Sequence, residues 1–150
     1  MKKLFFLLMI CPLMMITSCK DNANSNVSAD SVEALIDQEI EATNKQFPMQ
    51  VDAATTLVSM SRQGDIVKYD YIIDESAVDF ETFKAGKDSF KDRLKNDIIV
   101  LCLPSSELRA FFTLLRDSGK VLRYEYKGNP SGQTMSIDFS NDELHDIVKD

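Results

Sequence analysis

Tryptophan is absent, histidine occurs once, and only five glycines stand among 150 residues. Each scarcity excludes something. The single histidine, His145, cannot make a zinc site without further imidazole or thiolate ligands, which the chain cannot supply. A Ser-His-Asp triad could assemble only around His145, and no G-x-S-x-G offers the strand-to-helix elbow that such a site uses. With Glu143 and Asp146 close by in sequence, His145 reads as a solvated helix residue. No glycine-rich phosphate loop occurs, and the D-x-[DN]-x-[DN]-G spacing of a calcium loop is missing. Positive charge is in the minority, with 17 Lys and Arg against 24 Asp and Glu. That balance argues against nucleic acid, which demands clustered Lys and Arg, and against a polybasic grip on anionic lipid.

One long apolar run is present, and it stands at the start. Met1, Lys2 and Lys3 form a short basic lead, Leu4 to Ile16 is uncharged and almost wholly apolar, and Thr17 and Ser18 are small and polar. This is the layout of an export signal. As a helix, Leu4–Ile16 would span roughly 20 Å at ~1.5 Å per residue, against ~30 Å of bilayer hydrocarbon. It is too short to remain as a span. Cleavage at the small residues as an ordinary signal peptide would leave no lipid.

Ile16-Thr17-Ser18-Cys19 resembles the lipobox of bacterial lipoproteins: an aliphatic residue, two small ones, then the cysteine. The resemblance implies that the Cys19 thiol takes a diacylglyceryl group, that the chain is cut before Cys19, and that the new amine is acylated. At ~0.8 kcal/mol per buried methylene, two or three such chains anchor stably where one would not. Membrane contact is then through the lipid alone, no cofactor is expected beyond that covalent lipid, and the implied location is the outer membrane, periplasmic or surface-exposed. Lys20-Asp21 also resembles the short charged export signals of surface lipoproteins in Bacteroidetes.

Removal of residues 1–18 takes two lysines with it, leaving 132 residues and moving the formal charge from −7 to −9. A chain of that length makes one domain with a real core. Cys11 leaves with the signal and Cys19 is acylated, so Cys102 stands alone and no intrachain disulfide can form. Residues 19–29 are small and polar with no periodicity and read as a flexible tether. The domain is expected over residues 30–150. At its start Asp30-Ser31-Val32 resembles the short O-glycosylation motif of Bacteroidetes envelope proteins, and a helix cap explains the same residues.

The first helix is predicted to start at Asp30, with Glu33 completing a capping box and Val32, Leu35, Ile36 and Ile40 at helical spacing. Pro48 ends it by about Lys45. Two strands follow, Thr55–Ser61 and Ile66–Ile73, separated by the turn Arg62-Gln63-Gly64-Asp65. From Asp79 to Cys102 the period is helical again, and Gly86 near the middle marks a bend or break. Ser105 caps another helix, which Gly119 closes in the C′ role. A second hairpin runs over Lys120–Tyr126 and Gln133–Phe139, and Ser140 with Glu143 opens a short last helix. The order is α-ββ-αα-ββ-α. Strands joined by short turns are antiparallel, so the expected architecture is α+β: one four-stranded antiparallel sheet with helices packed on one face.

Within this domain Asn44–Asp52, the strand Val67–Tyr71, and Leu108-Arg109-Ala110-Phe111-Phe112 ahead of Val121–Tyr126 resemble a family of small uncharacterised bacterial envelope proteins. Members often carry cysteine where this chain has Phe47 and another near Cys102, so the departure at Phe47 leaves Cys102 unpaired. That resemblance implies a fold and no activity.

Cys102 continues the stripe of Leu94, Ile98 and Leu101 and reads as a structural thiol; a nucleophile would need a base beside it. Acidic pairs such as Glu39/Glu41 and Asp142/Glu143 sit where helix-surface charge belongs. Tyr69, Tyr71, Tyr124 and Tyr126 fall at i, i+2 spacing on two strands. They are either core with cross-strand pairs or an exposed face suited to a protein or glycan partner. Two functions follow: a lipid-tethered, non-catalytic binding or assembly module of the envelope, with an envelope protein or glycan as partner, or a hydrolase using two carboxylates on a glycan.

Overall fold

The computed structural model describes residues 29–149; the expectations for the signal, the lipobox with Cys19 and the tether up to residue 28 lie outside them. The elements are α1 (Ala29–Asn44), β1 (Met49–Gln50), β2 (Thr55–Gln63), β3 (Ile66–Asp74), α2 (Phe80–Ala85), α3 (Lys87–Cys102), α4 (Ser106–Asp117), β4 (Val121–Asn129), β5 (Thr134–Phe139) and α5 (Asn141–Ile147). Among the described residues no helix is long and apolar enough to cross a membrane.

The class is α+β, as expected, but the sheet differs in two respects. It has five strands in the order β1-β2-β3-β4-β5, and its centre is parallel. The extra strand β1 is only two residues long, pairing Met49 with Leu57 and Gln50 with Thr56. Two residues carry no period, so the sequence offered no strand signal there. The parallel junction arises because each hairpin turn fixes pairing only within its own hairpin. The long crossover through α2, α3 and α4 returns the chain to β3 running in the same direction, as parallel neighbours require. Ile66 to Asp74 then faces Val121 to Asn129 in unbroken register.

Strand β2 shows how a bulge sets side-chain direction. Its register shifts between Leu57 and Ser59, and the burial pattern changes parity there: Thr55, Leu57 and then Met60 point inward. The extra residue sends Ser59 to the outer face, where its hydroxyl donates to Asp70 at 2.8 Å. Gly86 separates α2 from α3, acting as C-cap of one and N-cap of the other. Ser105 and Ser140 accept the backbone N–H bonds expected of caps, the latter in a full capping box with Glu143. Gly119 follows α4 with φ near +69°, the left-handed conformation for which a Cβ is costly.

The Asp30 cap is not formed. Helix α1 already includes Ala29, and Glu33 turns to the sheet instead. There the Lys120 ammonium donates to Glu33 at 3.0 Å and to Asp65 at 2.9 Å, while Arg62 donates to Asp37 through two nitrogens and to Glu33 through a third. Lys120 and Arg62 therefore hold Glu33 in place of an N–H group at the start of α1, a charge-assisted choice. The cluster clips the start of α1 to the β2–β3 turn and the start of β4. Lys120 is buried within it.

The core is one apolar cluster under a single face of the sheet, drawing on all five helices, which supply Ile36, Ile40, Phe80, Leu94, Ile98, Phe111, Phe112, Leu115 and Leu144 among others.

Candidate functional site

The four tyrosines lie inside this core. Parallel register sets Tyr69 beside Tyr124 and Tyr71 beside Tyr126, and their rings stack at 5.3 Å and 4.8 Å between centroids, with Tyr71 and Tyr124 adding a diagonal contact at 6.0 Å. Phe83 and Phe90 meet Tyr126 edge-on at 5.4 and 5.5 Å, and Phe139 meets Tyr124 the same way. All four are at most 5% exposed. Burial pushes their hydroxyls well above the ordinary tyrosine range. The exposed tyrosine face weighed as a partner surface is therefore not the arrangement adopted. The same i, i+2 spacing serves a stack facing the helices, because β3 and β4 both turn that face inward.

What the sheet shows to solvent is a charged lattice. Lys68 pairs with Asp70 at 2.8 Å and with Glu125 at 3.1 Å across the parallel junction. Ser136 donates to Glu125 at 3.3 Å, and Arg123 holds Asp138 through two nitrogens at 2.7 Å each. Lys68 and Asp70 are the polar alternates to Val67, Tyr69 and Tyr71 along β3. Arg123, Glu125, Ser136 and Asp138 enter the same lattice, and the alternation of β4 and β5 was the signal that could have placed them.

Cys102 is buried at the end of α3, and burial pushes its thiol up to about 11, with the Arg109 cation pulling only partly back. Arg109 is engaged with α3, donating to the carbonyls of Cys102 and Leu103 at the helix C-terminus. A thiol shifted this way carries little thiolate at neutral pH. His145 is exposed on α5. Its sequence neighbours are otherwise occupied: Glu143 caps α5 and pairs with Lys91 at 2.7 Å, and Asp146 pairs with Lys149 and Lys95. Among the described residues no group of three or more His, Cys, Asp or Glu side chains could hold a metal ion.

The carboxylates argue in the same direction. A glycan hydrolase of the type considered needs a carboxyl group held protonated, by burial or by a second carboxylate. Here the displaced carboxyl groups move downward. Hydrogen bonding to Lys120 lowers Glu33, to Arg62 lowers Asp37, to Arg123 lowers Asp138 and to Lys149 lowers Asp146. Burial pushes Glu143 up, but its bonds to Lys91 and to Ser140 outweigh that. These are groups settled as anions.

One concavity stands out, an open hollow of about 600 Å³ along the outer side of α4, lined by Leu103, Pro104, Arg109, Ala110, Leu114 and Asp117 among others. Leu103 is 68% exposed beside it. Its floor is the solvent side of one helix, and Arg109 and Asp117 are its ionisable groups.

No protein-family model matches the chain, and no curated protein sequence does. Solved structures share its fold. A Pseudomonas aeruginosa protein described as secreted aligns with TM-score 0.62 over 81% of this chain and 99% of its own, at 11% identity. A pilotin of the Vibrio vulnificus type 2 secretion system aligns with TM-score 0.50 over 77% of this chain and 94% of its own, at 12% identity.

Proposed function

We propose that this chain is a lipid-anchored, non-catalytic binding or assembly module of the bacterial cell envelope, held at the outer membrane by acyl chains on Cys19 and acting on an envelope protein or glycan. The observation that carries the reading is where the chemically capable side chains are placed. The tyrosines are stacked in the core, the Cys102 thiol is buried and pushed toward its inert form, and the displaced carboxylates are held as anions by neighbouring cations or hydrogen-bond donors. What the surface offers is contact area. The fold shared with a pilotin of a type 2 secretion system supports an assembly role in the envelope, and the Ile16-Thr17-Ser18-Cys19 motif supports the anchor.

The test has two arms. Metabolic labelling with a palmitate analogue should mark the protein, and Cys19→Ser should abolish both label and membrane retention; a Ser variant that stays uncleaved in the membrane makes the apolar run a span and overturns the anchor. The lipidated protein should also retain one envelope protein or glycan in stoichiometric amount from envelope extract. Turnover of an envelope glycan by the purified protein, lost on replacing a single carboxylate, would overturn the non-catalytic half.

A further inference from the structure

We draw no further inference here: the strongest candidate, the open apolar hollow along the outer side of α4 with Leu103, Pro104, Ala110 and Leu114 around it, is an unpartnered surface and nothing in the structure shows what covers it.

Discussion

Replacing Tyr126 separates a core residue from a surface one. Its ring is 1% exposed and touches three others, Tyr71 at 4.8 Å, Phe83 at 5.4 Å and Phe90 at 5.5 Å. Truncating a buried aromatic to alanine costs about 3–5 kcal/mol, of which each aromatic pair supplies roughly 0.5–1.5 kcal/mol beyond area burial. Against a total stability of about 5–15 kcal/mol, Tyr126→Ala should remove roughly a fifth or more. With a urea slope near ~2 kcal/mol/M, the midpoint should fall by about 1.5–2.5 M. Tyr126→Phe keeps the ring and all three contacts, so it loses only what the hydroxyl contributes, about 1 kcal/mol or less. Equilibrium urea unfolding followed by far-UV circular dichroism reads both. If Tyr126→Ala left the midpoint within about 0.3 M of the parent at an unchanged slope, the stack would not be core, and the argument from burial would fail.

Cys102 in the folded domain should react slowly with a thiol reagent in buffer and quickly in denaturant; fast native labelling would reopen the case for a reactive thiol. Gly128 should resist replacement, because a Cβ there would run into the Glu75 carboxylate and come within 2.9 Å of Ser131 Oγ. Glu75 could move only by giving up the Ser131 N–H at 2.7 Å, so Gly128→Ala should cost about 1–2 kcal/mol. Adding Glu75→Ala should restore part of that loss, and strict additivity of the two in urea unfolding would contradict the clash. Stability should also fall at both pH extremes, for opposite reasons. Asp138 and Asp146 lie below their ordinary 3.8, so their contribution is present above that pH and is lost as pH falls through the folded values. The buried tyrosines lie above their ordinary 10.0, so theirs is full below pH 10.0 and is lost as pH rises through the folded values. Arg123→Gln should move the acid transition measured by circular dichroism to higher pH, and an unmoved transition would remove Asp138 from the account.

Local chemistry made the order of elements legible. Capping serines at Ser105 and Ser140, the Gly86 break and the Gly119 stop act within a few residues of themselves, so sequence determined them and the structure keeps them. The period-2 alternation of β3 and β4 likewise fixed which side chains share a face. It could not say which face the helices would cover, and so an exposed reading of the tyrosines stayed open beside the core one until packing chose the core. Nor could turn chemistry join the two hairpins: whether β3 meets β4 parallel depends on the path of three helices between them. Glu33 is the sharpest instance. Read locally it completes a cap with Asp30, three residues away. Folding brings Lys120 to it from 87 positions along the chain, and a buried ammonium holds a carboxylate more strongly than a backbone N–H at a solvent-exposed helix end. Local patterns decided what each segment could become; contacts between distant segments decided which of its partners each charge and each ring would keep.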